Sequence, residues 1–303
     1  MKPMVTIGVC VRNCVSTIRE AINSIIAQDY PHELMQLVIV DGHSEDGTVS
    51  IIKECFKNTD IKTEFFFENK GLGYARQIVV DNAEGQCIVW IDGDMVIAKD
   101  YVKKLVEFME NHPTIGIAKG KQSLEFKSNL LGTLEAYSRA AGKMVDFTSE
   151  NAYSKPLGTS GSIYRVEAIR QVGGFDKTIR GYCEDWDVEI RLKTNGWLSH
   201  SIDVNYLDYE RQGLTWKNLW SKYWRRGYDT HYFLHKRKNK RLIKHYRMFP
   251  PAAFILGIFH SQKLFKLTHK KEVFLLPLQY MFKMTAWYFG FLKSHLNHYQ
   301  PKF

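Results

Sequence analysis

Two carboxylates separated by one glycine, Asp92-Gly93-Asp94, close the apolar run Cys87-Ile88-Val89-Trp90-Ile91. Like charges this close repel, and withdrawing each from water costs on the order of several kcal/mol unless something pairs with it. Such a pair calls for a cation or a ligand. Read alone it is equally a solvated turn, because Asp and Gly are common turn residues. Three further groups weigh against the turn. Asp41 ends another apolar run and can accept hydrogen bonds from a base or a ribose. Gly71-Leu72-Gly73-Tyr74-Ala75-Arg76 sets a flexible loop and a guanidinium before a helix, which suits an anionic group. Glu184-Asp185 adds a second carboxylate pair downstream of the small-residue loop Gly158-Thr159-Ser160-Gly161-Ser162.

The elements that must hold these groups follow from hydrophobic periodicity. Val5 to Val11 predicts a buried strand, and Val15 to Ala27 a helix with Ile18, Ala21, Ile22, Ile25 and Ile26 at helical spacing. Leu37 to Val40 predicts a second strand, Gly42 to Gly47 a turn, and Thr48 the start of another helix. Phe65 to Phe67 predicts a third strand, Tyr74 to Asn82 a helix, and Cys87 to Ile91 a fourth strand. Alternating strands and helices predict a parallel, three-layer α/β sheet whose ligands sit beyond the carboxyl ends of its strands. Asp41 and Asp92 lie at such ends. The stretch from Gly116 to Tyr164 shows no clear period, and Tyr182 to Leu192 reads as a loop entering a helix. In that helix Asp185 is either a solvated first-turn acid or a positioned base, while Asp187 and Glu189 read as surface residues.

Of the 303 residues, 45% are hydrophobic and 24% charged, which supplies a packed core and argues against global disorder. The net charge of +10 hides a split. Residues 1–216 hold 24 Lys and Arg against 30 acids, whereas 217–303 hold 18 against 2. A basic tail on an acidic body predicts contact with an anionic surface, either nucleic acid or membrane. The five cysteines are scattered, without a CxxC pair, and read as free thiols in a reducing compartment. The amino end, MKPMVTIGVCVRN, enters a strand directly and does not read as a secretory signal.

Taken in order, VTIGVCVRN, VIVDGHSEDGT, GLGYARQ, WIDGDM, GTSGSIYR followed by VGGFD, and CEDWDVEIRL resemble a family 2 glycosyltransferase of the GT-A fold over about Val5 to Trp197. The resemblance implies a Rossmann-like α/β/α fold with a mostly parallel sheet, a nucleoside-diphosphate sugar donor of the UDP or GDP type, a divalent metal, and inverting transfer of a hexose. Mg²⁺ or Mn²⁺ would answer the repulsion in the Asp92–Asp94 pair, since such ions bridge one or two carboxylates to substrate phosphates. By the family pattern Asp94 ligates the metal, Asp92 touches ribose or metal, and Asp41 contacts the base. Val11, Arg12 and Arg76 lie where the nucleotide is bound, Asp185 matches the catalytic base, and Glu184 and Gly161 fall near the acceptor. Two positions depart from the pattern. Cys10-Val11-Arg12-Asn13 stands where many relatives carry Pro-Thr-Tyr-Asn, and Gly42 replaces a second Asp after Asp41.

Lys217 to Arg247 holds eleven Lys or Arg and one acid, Asp229, interleaved with Trp216, Trp220, Tyr223, Trp224 and Tyr228. Trp and Tyr suit a water–lipid boundary and basic residues attract anionic lipid, although the same stripe could pack on a catalytic domain. Arg225 and Arg226 are candidates to meet the donor diphosphate. Val273 to Leu292 is long enough to span a bilayer, yet Glu272, Gln279, Lys283, Gly290 and Lys293 fall close to one stripe. A mid-span lysine costs about 3 kcal/mol, so a helix lying in the membrane plane is expected. These readings predict a catalytic domain over 1–212, divided into a nucleotide-sugar half at 1–97 and an acceptor half at 98–212, and a membrane-associating helical region over 213–303. The expected location is the cytoplasmic side of the cell membrane, peripheral or monotopic, and the expected acceptor a hydroxyl of a lipid-linked or surface glycan. The rivals are a lipid-phosphate glycosyl synthase, a sugar-1-phosphate nucleotidyltransferase, a nucleic-acid-binding module and a non-catalytic assembly subunit. The first strand lacks the phosphate loop of the second rival, and the apolar content of the tail argues against nucleic acid.

Overall fold

The computed structural model describes residues 2–122, 129–144, 157–208, 214–237 and 249–298. The chain divides into two compact units, one of residues 1–125, 149–180 and 184–209, the other of 126–148, 181–183 and 210–303. The division expected after residue 212 is thus too simple, because residues 126–148 cluster with the C-terminal helices. Segments 1–97 and 98–212, expected as two halves of one catalytic domain, contribute to one sheet.

In the first unit the predicted strands are β1 (Val5–Val11), β2 (Met35–Asp41), β3 (Lys62–Phe67) and β4 (Cys87–Trp90), with helices α1 (Ile18–Ile26), α2 (Thr48–Cys55) and α3 (Leu72–Asn82) between them. Beyond them come β5 (Met95–Ile97), α4 (Tyr101–Asn111) and β6 (Ile115–Gln122). In the second unit lies α5 (Leu130–Met144). The first unit then continues through β7 (Ser162–Arg165), α6 (Val166–Gln171), α7 (Glu184–Thr194) and β8 (Leu198–Asp208). The eight-stranded sheet runs β3-β2-β1-β4-β7-β6-β8-β5. Its first four strands are parallel, β7 is antiparallel to both neighbours, β6 and β8 are parallel, and β5 closes the edge antiparallel to β8.

Strands β1 and β2 are apolar almost throughout because helices cover both faces of the sheet. Val5, Ile7 and Val9 join Ile18, Ile22 and Ile25 of α1 on one side. Val38, Val40, Ile88 and Trp90 join Val79 of α3 and Ile169 of α6 on the other. Gly8 lets that second layer close, since a Cβ there would lie 2.8 Å from Val79 and 2.9 Å from the Trp90 ring. Register pairs Val11 with Asp41 and Gly8 with Trp90, so the loops after β1, β2 and β4 leave from one edge of the sheet.

The second unit also holds α8 (Trp216–Arg237), α9 (Pro250–Thr268) and α10 (Leu276–Leu296). Leu131, Leu214, Leu219, Tyr223 and Ala286 are buried together. Gly227 and Gly290 let α8 and α10 cross closely, for a Cβ at either would run into a carbonyl oxygen, that of Trp287 or Trp224. Inside this unit Lys283 Nζ lies 2.8 Å from a Glu135 carboxylate oxygen, and Tyr223 donates to the other oxygen at 2.8 Å. Burial alone would raise the Glu135 pKa; Lys283, then Lys222 and Arg139, outweigh it and hold the carboxyl below the usual range. The aromatic stripe of α8 is split: Tyr223 and Tyr228 are buried while Trp216 is exposed. Residues 238–247, the densest part of the basic tail, lie outside the described residues. Among the described residues no helix is long and apolar enough to cross a membrane.

Candidate active site

Asp92 and Asp94 stand half-buried on the turn between β4 and β5. The turn is fixed from below. Thr17 Oγ1 donates to Gly93 O at 2.8 Å, and a Cβ at Gly93 would meet Cys14 Sγ at 2.8 Å and Val11 at 2.9 Å. Glycine between the two acids is therefore a packing requirement of the loop after β1. Among the described residues no three His, Cys, Asp or Glu side chains converge to enclose a metal. Asp92 and Asp94 nevertheless fit an ion that takes one or two carboxylates and completes its oxygen shell with phosphates and water.

The loops after β1 and β2 are tied together. Asn13 N donates to Ser44 Oγ at 2.8 Å, and Glu45 N donates to Asn13 Oδ1 at 2.9 Å. Both Asp41 oxygens accept from Ser44, its N–H and its hydroxyl, each at 2.7 Å. Asp41 is 0% exposed, so it reaches a base only if this loop moves; as it stands, it positions the loop. The Val11 side chain is likewise buried, and its carbonyl accepts from Gly42 N at 2.8 Å. Arg12 is exposed, and a Cβ at Gly42 would press on its stem at 3.3 Å. The two departures from the family pattern are thus coupled, glycine at 42 giving arginine at 12 its room.

Arg76 corrects a sequence expectation. It is buried and ion-paired with Glu184, its guanidinium carbon 5.9 Å from the ring centres of Trp90 and Phe175. Burial disfavours its charge, but Glu184, Asp185 and Asp92 outweigh that and raise its pKa above the ordinary value. Glu184 is raised by burial, with Asp185 and Asp92 adding to the push and Arg76 opposing it. This pair joins α3 to α7 and places Asp92 within electrostatic reach of both. The Gly71 loop is likewise no open anion cradle. Lys70 N and Gly71 N donate to Glu68 at 2.7 and 2.8 Å, while Leu72 N and Gly73 N donate to the carbonyls of Arg180 and Ile179 at 2.9 and 3.2 Å.

Asp185 is half-buried in the first turn of α7, where the helix dipole favours a carboxylate. One oxygen accepts from Trp186 N at 2.8 Å. The other would lie 3.1 Å from a Cβ at Gly158, whose φ of +71° also favours glycine. The small-residue loop thus passes directly in front of Asp185. Its anchor was missed in the sequence, where Glu189 read as a surface residue. Glu189 is 1% exposed and accepts from Leu157 N at 2.8 Å and Gly158 N at 2.5 Å. Burial, with Asp185 next, pushes its pKa up to about 7. Asp187, also read as surface, is buried against Arg191 at 2.7 Å, and Arg191 reaches on to Gly174 O at 2.6 Å. A signal was present: acids at 185 and 189 share one helical face, and 187 and 191 form an i,i+4 pair. Gly161 is buried, with its N–H on Trp90 O at 2.9 Å and its carbonyl accepting from Tyr101 at 2.5 Å, so it shapes the loop and does not meet an acceptor as described. Arg225 and Arg226 belong to the second unit, where Arg225 is exposed and Arg226 lies 5.1 Å from the ring centres of Tyr182 and Tyr223.

Comparison with known proteins identifies the family and the fold. Residues 6–154 match the family model for glycosyl transferase family 2, and residues 87–296 match that for glycosyl transferase family group 2. The chain belongs to the family 2 glycosyltransferases. It is similar to the poly-β-1,6-N-acetyl-D-glucosamine synthase of Staphylococcus epidermidis, 24% identical over 257 residues, covering 80% of this chain and 60% of that protein. The chain therefore spans about 60% of that curated relative's length. Its fold resembles that of the mannosyltransferase PcManGT from Pyrobaculum calidifontis, solved with GDP-Man and Mn²⁺. That match has a TM-score of 0.66 at 18% identity over 98% of this chain and 88% of the other. It also resembles Staphylococcus aureus TarS solved with UDP-GlcNAc, with a TM-score of 0.54 at 17% identity over 99% of this chain and 93% of the other. These likenesses establish the GT-A fold.

Proposed function

We propose that this protein transfers a sugar, with inversion, from a UDP- or GDP-type donor to a hydroxyl of a lipid-linked or surface-glycan acceptor at the cytoplasmic face of a membrane. The observation that carries the reading is Asp185, a half-buried carboxylate on a helix N-terminus beside the fixed Arg76–Glu184 pair, with the Gly158 loop passing close to it. The acceptor oxygen attacks the anomeric carbon opposite the leaving group as Asp185 takes its proton, and the bond to the nucleoside diphosphate breaks with its electron pair leaving on the diphosphate. Asp94 and Asp92 are the residues that would hold Mg²⁺ or Mn²⁺, which as a Lewis acid stabilises charge on the departing diphosphate. A lipid phosphate acceptor would arrive already ionised and need no base, so the presence of Asp185 favours a hydroxyl. The donors named for PcManGT and TarS support the choice of nucleotide classes.

A donor that binds the folded state raises the melting temperature by mass action. One UDP- or GDP-sugar with Mn²⁺ or Mg²⁺ is expected to do so in a thermal-shift screen, and Asp94→Ala to abolish the shift. A full panel of donors that leaves the melting curve unmoved would remove the reading.

A further inference from the structure

The helices of the second unit present a reversed distribution of side chains. On α10, Gln279, Lys283 and Ser294 are buried, while Leu278, Met281, Phe289, Leu292 and Leu296 are 38 to 69% exposed. The exposed residues recur at spacings that keep them on one face of the helix. On α9, Ile255, Ile258 and Phe259 are 40 to 61% exposed, while His260 and Ser261 are buried. A groove of about 440 Å³ is lined by Trp216 and Trp220 of α8 and by Leu278, Met281, Phe282 and Thr285 of α10. Leu278 and Met281 belong to both groove and stripe, so the apolar surface continues from α10 to the exposed Trp216. Proteins that stay in water rarely leave so much contiguous apolar surface uncovered.

Charge decides what covers it. Lys263, Lys266, Lys270 and Lys271 are exposed around the α9–α10 connection, where Glu272 is the single acid. Residues 217–303 as a whole carry 18 Lys and Arg against 2 acids, so two copies brought face to face would repel, whereas anionic headgroups would attract. A spanning arrangement is disfavoured because the polar stripe of α10 is held inside the unit by Glu135 and Ser138, and no described helix is apolar enough to cross. We propose that this surface seats in one leaflet of an anionic bilayer. In that seat α10 lies in the membrane plane, the groove holds a hydrocarbon chain of a bilayer lipid, and the four lysines meet lipid phosphates. That a lipid-borne acceptor is delivered there rests on the transfer reading above; the lipid seat itself is read from the helices alone.

Flotation of the full chain tests it, with phosphatidylcholine vesicles alone and with phosphatidylglycerol added. Wild type is expected to float with the anionic vesicles. Leu278→Glu with Phe289→Glu changes two exposed residues and is expected to keep the melting temperature and any donor-induced shift. Its partition into the same vesicles is expected to fall on the order of a hundredfold, since two large apolar side chains no longer enter hydrocarbon. Lipids brominated along the acyl chain are expected to quench Trp fluorescence, and Trp216→Phe to remove part of that quenching. Wild type left unbound by anionic vesicles, or a double variant that floats as well as wild type, would overturn the seat. So would self-association of wild type, lost in the double variant, with neither floating. Vesicle binding without any donor-induced shift would remove the transfer reading and leave this one standing.

Discussion

On α7, Glu184, Asp187 and Glu189 turn inward to Arg76, to Arg191 and to the amides of Leu157 and Gly158. On α10, Gln279, Lys283 and Ser294 also turn inward, Lys283 to Glu135 and Ser138 and Ser294 to His231. Both helices therefore bury polar groups that a simple amphipathic pattern would place outside, and both satisfy them with specific partners. What differs is the exposed remainder. Around α7 the inward acids fix a loop and leave Asp185 half-exposed, where the proposed transfer needs its base. On α10 the inward polar groups leave leucine, methionine and phenylalanine outside, the face proposed to meet lipid. The same physical device leaves a carboxylate accessible in one unit and an apolar face accessible in the other.

Four substitutions at three sites test this contrast. The largest effect is expected at the one acid of α7 left accessible: Asp185→Asn should lower turnover by about a hundred- to ten-thousandfold while the donor-induced thermal shift persists. Unchanged turnover would take Asp185 out of the mechanism and the reaction centre out of the comparison. On α10, Lys283→Met removes the nearest cation from the buried Glu135, leaving Lys222 at 3.9 Å, and should cost about 3 kcal/mol in denaturant unfolding. Adding Glu135→Leu should recover most of that loss, and failure of the second change to rescue would show that the pair does not hold the helix inward. The smallest effect is expected at Glu189, whose pKa is raised by burial from 4.5 to about 7. A carboxyl raised on folding stabilises fully below pH 4.5, loses that contribution as pH rises, and contributes none above about pH 7. Glu189→Gln should flatten the stability–pH curve across this window by about 3 kcal/mol, and slow turnover by about tenfold through a loosened Gly158 loop. A slope left intact would place the titrating group elsewhere.

Strands β1 to β4 and the loops at their ends were legible in the sequence because apolar runs and turn residues are local signals. The places of Asp92, Asp94 and Asp185 on these elements were legible the same way, each standing where a run ends or a helix begins. Strands β6 to β8 were not legible, since they pair with partners remote in sequence, β6 with β8 and β4 with β7. The roles of Arg76 and Glu189 were hidden for the same reason: Glu184 lies 108 positions from Arg76, and Leu157 lies 32 from Glu189. Arg76 therefore read as a ligand contact and Glu189 as surface.

The stripe formed by Gln279, Lys283 and Gly290 was visible in the sequence, but its direction was not. Periodicity determines that a helix has two unlike faces, because side-chain spacing is a property of the helix alone. Which face turns inward depends on what waits there, and Glu135 and Ser138 arrive from α5, on a distant part of the chain. By itself the sequence determined the strand ends and the acids that stand on them. Only the tertiary structure decided which charges are paired inside and which apolar residues are left outside, since desolvation and pairing are settled by neighbours in space.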